Sequence, residues 1–252
     1  MTADLIRIAS TFPKPFRLTI RESVGSTNDE LRVLAQAGEP DGLVLLARHQ
    51  TAGRGRRGAA WFYQPDVSLA FSILVRPKEA RVLWPRLALA TGLAVAEALE
   101  SFGVAVGIKW PNDLWVGGRK VAGLLAESGA DSVIIGIGLN VNTRVFPPEV
   151  ASLATSLRLE IGNDLPRAEV LGAILHRFAL RRDQIGVDFE RVLDGIRERC
   201  VLVGHRVSLE TAQGRRVGLV EGLGAGGELL LRTDVGLEAL IQAHEVRLLP
   251  ED

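Results

Sequence analysis

The first 140 residues contain a series of short apolar runs, each about the length of one strand and bounded by glycine, proline or polar residues. In residues 67–75 the larger side chains of Val67, Leu69 and Phe71 alternate with small ones, which is the two-residue period of a strand. Similar patterns predict strands over residues 16–25, 42–48, 67–75, 104–110 and 131–142. Residues 113–127 predict a hairpin that turns at Gly117 and Gly118.

Four segments have the spacing of helices instead, at residues 26–38, 83–102, 165–184 and 188–199. In the first of them, Thr27 and Glu30 predict a capping box, and Gly38 is placed to end the helix. Ser26 with Asp29 offers a second register for the same cap. Consecutive strands joined by tight turns and flanked by helices indicate an α+β fold with a mixed, largely antiparallel sheet.

The pattern changes after Cys200, where short alternating strands are separated by glycine-containing turns. These strands are predicted in the segments HRVSLET, RRVGLVEGL, GELLLRT and LEALIQAHEVRLL. A run of about fifty residues of this kind suggests a small β-barrel. The sequence therefore predicts two domains, with the mixed sheet in residues 1–199 and the barrel in residues 200–252.

Composition and charge narrow the class of protein. Hydrophobic residues make up 47% of the 252 residues, which is enough for a folded core, and 30 basic residues balance 30 acidic ones. A protein whose main partner is a nucleic acid usually has a basic excess, which this chain lacks. The single cysteine, Cys200, excludes an internal disulfide and suits a reducing compartment. Without a signal-peptide pattern or an apolar run of about 18 residues, we expect a soluble cytoplasmic protein with no membrane partner.

A loop rich in glycine and arginine follows the second predicted strand. TAGRGRRG, at residues 51–58, has the G-x-G-x-x-G spacing of a dinucleotide-binding turn. Such a turn must open a helix, whose N-terminus holds the pyrophosphate, but the next predicted element is the strand at residues 67–75. The dinucleotide interpretation therefore fails. A glycine backbone that approaches an anion, with Arg54, Arg56 and Arg57 supplying positive charge, explains the composition better than an exposed basic loop does.

Polar residues without an evident core role lie at other strand ends: Gln50, Lys109, Asn112, Asp113, Lys120 and Asn140. Some of these residues also have a purely structural explanation, since Asn112 and Asp113 are typical of a turn. In the same way, Ser26, Thr27 and Asn28 could serve only as a helix cap. Lys120 is better defined, because it follows the Gly-Gly turn and precedes small residues that leave room for a ligand. The joint presence of these residues indicates a ligand site.

The motifs STND, HQTAGRGRRGAAW, KWPNDL, GRKVAGLLAE and GIGLNVN occur in this order, and the chain resembles the biotin–protein ligases, or holocarboxylase synthetases. The resemblance extends from about residue 16 into the predicted barrel. It implies a class II synthetase-like catalytic domain and a small SH3-like C-terminal domain. Some members also carry an N-terminal winged helix-turn-helix. Here only residues 1–15, interrupted by Pro13 and Pro15, precede the first predicted strand, so we expect a monofunctional ligase that does not bind DNA.

The resemblance implies a reaction in two steps. A carboxylate oxygen of biotin attacks the α-phosphorus of ATP, pyrophosphate leaves, and biotinyl-5'-AMP remains. The ε-amine of one lysine on a biotin carboxyl carrier protein then attacks the acyl carbon, and AMP leaves. Mg²⁺ is expected to accompany the nucleotide, with its protein ligands unassigned, and an exposed strand edge leaves room for a homodimer. A lipoate or octanoate ligase or transferase of the same fold is the alternative, and a nucleic-acid-binding module is a more distant one.

The resemblance also assigns roles to residues of this sequence. Ser26, Thr27, Asn28 and Gln50 are expected to bind the ring of biotin. Arg54, Gly55, Arg56 and Lys120 are expected to bind the carboxylate end of biotin and the new phosphate linkage. Arg56, Arg57, Lys109, Asn112 and Asn140 are expected to bind the nucleotide. The catalytic residues are expected to be Lys120, Arg56 and Asp113, with Asp113 near the incoming lysine. No aromatic residue is assigned to adenine, because Phe146 is the one aromatic residue between Val141 and Leu165.

Overall fold

A seven-stranded mixed sheet forms the centre of the computed structural model, which describes residues 2–250 without the side chains of residues 2–4 and 6. Its strands are β1 (Arg17–Arg21), β2 (Leu43–Ala47), β3 (Leu69–Val75), β4 (Gly107–Lys109), β5 (Asp113–Val116), β6 (Arg119–Ser128) and β7 (Val133–Leu139). They lie in the order β1-β2-β3-β7-β6-β5-β4. β1 and β2 are parallel, and the other neighbours are antiparallel. The predicted mixed, largely antiparallel sheet is confirmed.

The helices of the described chain are α1 (Thr2–Ala9), α2 (Thr27–Gln36), α3 (Arg86–Glu100), α4 (Pro148–Ala151), α5 (Leu157–Ile161), α6 (Arg167–Arg182), α7 (Gln184–Val187) and α8 (Phe189–Arg197). α1 lies before the first strand, in residues for which the sequence pattern gave no prediction. Leu5 is buried, and a Cβ on Gly172 of α6 would lie 3.3 Å from Ile8 Cδ1, so α1 packs on α6. None of the helices in residues 2–250 is long and apolar enough to span a membrane.

The apolar runs of β2 and β3 are continuous because both faces of the sheet are covered at this point. Leu45 and Leu74 belong to a cluster with Leu31 of α2. The alternate residues Leu46 and Phe71 belong to the main core, which also contains buried residues of α3 and α6. All of β3 is therefore buried, including the positions that carry small and polar side chains. A strand covered on both faces has little reason to alternate strictly between apolar and polar residues.

A second sheet follows in the C-terminal part of the chain. Its strands are β8 (Arg206–Thr211), β9 (Gly214–Leu223), β10 (Leu229–Thr233), β11 (Gly236–Leu240) and β12 (Glu245–Leu248), in the antiparallel order β11-β10-β9-β8-β12. The last predicted segment thus contains two strands. Buried residues such as Val207 and Leu231 belong to the same hydrophobic cluster as the core of the large sheet. The two sheets therefore share one core.

The connection between the sheets is itself paired with β4, the edge strand of the large sheet. The Ile108 amide donates to Arg199 O at 2.8 Å, and the Val201 amide donates to Ile108 O at 3.0 Å. Gly107 permits this close approach, because a Cβ there would lie 2.3 Å from Val201 Cγ1. The connection thus satisfies backbone groups that an open sheet edge would expose.

Candidate active site

A cavity of about 640 Å³ opens where the N-terminus of α2, the arginine loop (residues 51–58), the turn before β5, and strands β6 and β7 meet. It is lined by the sequence-predicted residues Ser26, Thr27, Asn28, Gln50, Arg54, Gly55, Arg56, Arg57, Asn112, Asp113 and Lys120. The C-terminal sheet also contributes to the lining, with Glu210, His244 and Glu245. The fold therefore brings into one cavity residues that stand more than two hundred positions apart in the chain.

Glycines on β6 and β7 form the floor of the cavity. A Cβ on Gly138 would lie 2.4 Å from Trp61 Cε2, and a Cβ on Gly136 would lie 2.4 Å from Asn28 Oδ1. Both distances are shorter than a Cβ contact tolerates, so side chains at these positions would displace Trp61 and Asn28. The motif GIG in β7 thus gives two functional side chains room to lie on the sheet.

The N-terminus of α2 is held by a glutamine from outside the helix. The Thr27 amide donates to Gln50 Oε1 at 2.8 Å, and Thr27 Oγ1 lies 3.2 Å from the same oxygen. Ser26 is the N-cap residue, and its side chain makes no capping bond within the described chain. The predicted capping box of Thr27 and Glu30 is therefore wrong, and so is its Ser26 alternative. The Thr27 hydroxyl bonds instead to Gln50, which lines the cavity, and to the buried Ser72.

Asn28 is buried, and both protons of its side-chain amide are engaged. Its Nδ2 donates to Glu127 Oε2 at 2.6 Å and to Leu125 O at 3.2 Å. Ser72 Oγ lies 2.6 Å from Asn28 Oδ1 and 2.7 Å from Thr27 Oγ1, and its one proton serves one of them. Because both Nδ2 protons are used, a ligand can still bond Asn28 through the remaining lone pair of Oδ1.

The arginine loop is a small hairpin of its own. The Trp61 amide donates to Gly53 O at 3.1 Å, and the Gly55 amide donates to Ala59 O at 2.7 Å. Beyond the hairpin, Tyr63 Oη lies 3.0 Å from the carbonyl oxygens of both Ala47 and Arg48 at the end of β2. Burial raises the pKa of Tyr63 to about 12, so the phenol remains a neutral donor. Both ends of the loop are thus attached to the sheet.

The guanidinium of Arg54 is occupied within the protein. It forms a two-pronged ion pair with Asp29, including an Nη2–Oδ1 bond of 2.6 Å, and its Nη2 lies 3.3 Å from Glu127 Oε1. The hydrogen bond from Arg54 holds the pKa of Asp29 below its usual value, and the bond to Asp29 raises the pKa of Arg54. Arg54 lines the cavity as predicted, but its charge is already matched by two carboxylates. Its geometry therefore differs from the expected one, in which it faces a ligand anion.

The other cations of the cavity meet at the turn before β5. Arg56 Nη1 donates to Asn112 Oδ1 at 3.2 Å, and Lys120 Nζ lies 2.7 Å from Asp113 Oδ1. Burial lowers the pKa of Arg56, because a desolvated guanidinium loses hydration that a neutral amide does not replace. Asn112 is itself fixed by a 2.9 Å bond from Nδ2 to Leu124 O of β6. The turn thus positions two cations at the same wall.

Trp61 is a lining residue that the sequence analysis missed. Its indole lies on the glycine floor, and Lys120 Nζ stands 5.4 Å from the ring centroid. The buried indole Nε1 has no hydrogen-bond partner within the described chain. Phe146, the aromatic residue considered for adenine, is buried and packs against Phe62 with ring centroids 5.7 Å apart. The position of Trp61 soon after the arginine motif was the sequence feature that could have identified it as an aromatic residue of the cavity.

Two predicted residues do not line the cavity. Lys109 lies on β4 with its Nζ 4.2 Å from the centroid of the Trp115 ring, and burial lowers its pKa. Asn140 follows β7 and is buried, and its Nδ2 donates to Thr155 O at 3.1 Å. Both belong to the frame of the cavity, so the structure does not place them against a ligand as the sequence analysis expected.

The two ends of the cavity differ in chemistry. One end presents the polar groups of Thr27, Asn28 and Gln50, and the other presents Arg56 and Lys120. Neutral donors and acceptors bind a polar ring, whereas fixed cations in a partly desolvated site bind an anion. The arrangement therefore suits a ligand with a hydrogen-bonding head and a negatively charged tail. Within residues 2–250, no group of three or more His, Cys, Asp or Glu residues is placed to hold a metal ion.

Comparison with known proteins gives a consistent result. Residues 21–142 match the model of the biotin/lipoate A/B protein ligase family. A biotin–[acetyl-CoA-carboxylase] ligase of Mycobacterium tuberculosis is 37% identical over 229 residues, which cover 87% of this chain and 84% of that one. A biotin protein ligase of Aquifex aeolicus in complex with biotin and ATP superposes with a TM-score of 0.84 at 34% identity, covering 92% and 98% of the two chains. A Leishmania major biotin protein ligase with biotinyl-5-AMP superposes with a TM-score of 0.58 at 26% identity, covering 90% and 99%.

We expect the ion pair between Arg54 and Asp29 to fasten the arginine loop to α2. In a double-mutant cycle of Arg54→Ala and Asp29→Ala, the coupling free energy should be about 1 kcal/mol at neutral pH, because the pair is two-pronged and half-buried. The folded state lowers the pKa of Asp29, so the coupling is complete above the ordinary aspartate pKa and is lost as the pH falls through the lowered value. Urea unfolding of the four variants measures it.

The exposed pair Arg144–Asp164, with a separation of 2.9 Å, is the matched control and should give a coupling near zero. Equal coupling in the two cycles would show that the Arg54 pair contributes no more than an ordinary surface pair.

Proposed function

The chain belongs to the biotin–protein ligase family and is a ligase, and from this premise we propose that its cavity joins biotin to AMP and then passes the biotinyl group to a carrier lysine. The observation that carries the proposal is the presence of Arg56 and Lys120 in the same cavity as the polar groups at the start of α2. Biotin has a ureido ring at one end and a carboxylate at the other. The two ends of the cavity match these two chemical groups.

In the proposed pose the ureido ring lies at the polar end. The Thr27 hydroxyl, the Gln50 side chain and the free lone pair of Asn28 Oδ1 would bond it, beside the Trp61 and Asn28 side chains that lie on the glycine floor. The valeryl chain would then run along the sheet toward Lys120. This pose keeps the sequence-based assignment of Ser26, Thr27, Asn28 and Gln50 to the ring of biotin. It also leaves Arg54 in its ion pair with Asp29, so Arg54 supports the loop and contributes backbone atoms.

The first step brings together two anions, and the cavity lowers their repulsion. A carboxylate oxygen of biotin attacks the α-phosphorus of ATP, the bond from that phosphorus to the bridging oxygen breaks, and pyrophosphate leaves. Negative charge grows on the phosphorus oxygens during this step. Lys120 and Arg56 are fixed cations that would stabilise it, and such preorganised charge is usually the largest catalytic contribution. Asp113 holds Lys120 at 2.7 Å, so we assign it a positioning role toward that lysine.

ATP would occupy the remaining space between the arginine loop and the turn before β5. Arg56, Arg57 and Asn112 line this space and suit the phosphates and ribose. Trp61 provides the aromatic surface for the adenine base. Mg²⁺ would reach the site on the triphosphate, with phosphate oxygens and water as ligands, since the described residues form no carboxylate cluster for it. Lys109 and Asn140 act on the nucleotide only through the elements that they support.

In the second step, the ε-amine of a lysine on a carrier domain attacks the acyl carbon of the adenylate. The bond from that carbon to the phosphate oxygen breaks, AMP leaves, and the nitrogen loses a proton to become an amide. We assign the carrier to the biotin carboxyl carrier domain of a biotin-dependent carboxylase, because the relative from M. tuberculosis is named for acetyl-CoA carboxylase. A lipoate or octanoate ligase is disfavoured by polar groups where the end of an acyl chain would lie.

Mass spectrometry of a biotin carboxyl carrier domain tests this function. After incubation with the protein, ATP and biotin, the domain should gain one biotinyl group on a single lysine. Lipoate in place of biotin should give no mass gain, and omission of ATP should abolish modification. Transfer of lipoate in preference to biotin, or no modification by either acid, would contradict the proposal.

Replacement of Lys120 should affect the chemical step more than biotin binding. Lys120→Ala should reduce adenylate formation on the order of a hundredfold, because its ammonium contacts charge that grows in the transition state. Biotin affinity should fall less, since the polar contacts at the start of α2 remain. Lys120→Arg should recover part of the rate, because the charge returns with a different geometry. Biotin-dependent pyrophosphate release and calorimetric biotin affinity measure the two effects.

The exposed Lys78 lies outside the cavity, so Lys78→Ala removes the same charge as a control and should leave both quantities unchanged. A Lys120→Ala protein that releases pyrophosphate at the normal rate would remove Lys120 from the mechanism.

Replacement of Trp61 should act on ATP rather than on biotin. Trp61→Ala should raise the KM for ATP about tenfold, which is the size of the loss expected when a base loses an aromatic stacking partner. Trp61→Phe should retain most of the affinity, because a smaller aromatic face remains. Initial rates of pyrophosphate release at varied ATP and at varied biotin separate the two substrates. An equal rise in both KM values would assign Trp61 to the shape of the whole cavity instead of the base.

A further inference from the structure

The turn before β5 is attached to the C-terminal sheet by one buried hydrogen bond. Trp110 is 2% exposed, and its indole Nε1 donates to the carbonyl oxygen of Gly227 at 3.0 Å. Gly227 lies in the turn between β9 and β10, 117 positions further along the chain. A buried donor and acceptor that lose each other leave two polar groups without partners, which costs more than the bond contributes when formed.

Gly227 is fitted to this contact by its conformation and its lack of a side chain. Its φ is +91°, which is a region that favours glycine. A Cβ at this position would lie 2.3 Å from Leu89 Cδ1 on α3. The backbone turn therefore packs directly against α3, and its carbonyl oxygen accepts the bond from Trp110.

The same segment carries two groups of the candidate site. Two residues after Trp110, Asn112 accepts the bond from Arg56, and Asp113 pairs with Lys120. A shift of the segment at Trp110 would therefore move the partners of both proposed catalytic cations.

We infer that Trp110 is a positioning residue through which the docked C-terminal sheet sets the place of Asn112 and Asp113, and so of Arg56 and Lys120. The inference rests on the proposed function for its catalytic part. Its structural part is independent, since it concerns the position of one turn. In this view the C-terminal sheet acts on adenylate formation through this indole–carbonyl bond, in addition to its contributions to the core and to the lining of the cavity.

Trp110→Phe tests the inference, with Trp84→Phe as a matched control. Trp84 is 6% exposed, and its Nε1 donates to Glu79 O at 3.0 Å, away from the cavity. Each substitution removes one indole–carbonyl bond of the same length from a buried tryptophan, the bond of Trp84 being part-buried, so Trp84→Phe should lower the unfolding midpoint by a similar or slightly smaller amount. Trp110→Phe should also reduce biotin-dependent pyrophosphate release by roughly tenfold through misplacement of the site groups. Biotin affinity should fall less than the rate in Trp110→Phe, because the polar contacts at the start of α2 remain, and it should be unchanged in Trp84→Phe.

Hydrogen exchange gives a readout that does not require activity. The Leu124 amide donates to Asn112 O at 2.9 Å, so its exchange rate reports the position of the turn. It should exchange faster in Trp110→Phe and unchanged in Trp84→Phe. Gly227→Ala, which pushes the glycine turn away from Leu89, should reproduce the effect of Trp110→Phe on both readouts.

Unchanged exchange of Leu124 in Trp110→Phe and Gly227→Ala would overturn the inference whatever the activity. Equal losses of rate in Trp110→Phe and Trp84→Phe would overturn it as well, because the effect would then be one of stability alone. If the exchange changes as expected but the unmodified protein releases no biotin-dependent pyrophosphate, the positioning role stands and the proposed function fails.

Discussion

Three glycines on β6 and β7 leave the surface of the sheet bare at the point where the functional side chains have to fit. Added Cβ atoms would lie 2.4 Å from Asn28 at Gly136, 2.4 Å from Trp61 at Gly138, and 3.0 Å from the Lys120 side chain at Gly123. Protein interiors are too closely packed to absorb such overlaps without moving the neighbours. The polar end of the cavity, its aromatic wall and its catalytic cation thus all depend on the same missing side chains.

Two arginines of the loop, Arg54 and Arg56, differ in whether a carboxylate of the protein pairs with their charge. Arg54 faces carboxylates and is electrostatically satisfied without a ligand. Arg56 faces the neutral amide of Asn112 in a partly buried place, and burial lowers its pKa. The nearby Asp113 carboxylate, which pairs with Lys120, only partly offsets this desolvation, so an incoming phosphate or carboxylate would relieve it further. One arginine therefore stabilises the architecture of the loop, whereas the other remains available for an anion.

Local patterns predicted most of the elements, because turns and apolar runs act over a few residues. Gly117 and Gly118 close the hairpin as expected, and both have positive φ. What the sequence alone could not predict is which polar groups are already paired. Arg54 meets Glu127, 73 positions away, and Thr27 meets Gln50 instead of Glu30. Such pairings are set by the strand order of the sheet, and no periodicity in the chain encodes them.

The segment that joins the two sheets limits how the C-terminal part of the chain can be removed or exchanged. Ile108 gives both its amide and its carbonyl to residues 199 and 201, and β4 has no other neighbour on that side. A chain cut before this segment would expose a strand edge that readily pairs with other molecules. Gene shuffling that exchanged the C-terminal part between proteins would have to preserve this strip of backbone pairing. Exchange of the C-terminal part therefore has to keep the segment at residues 199–201 that pairs with β4, although the strands of the two parts form separate sheets.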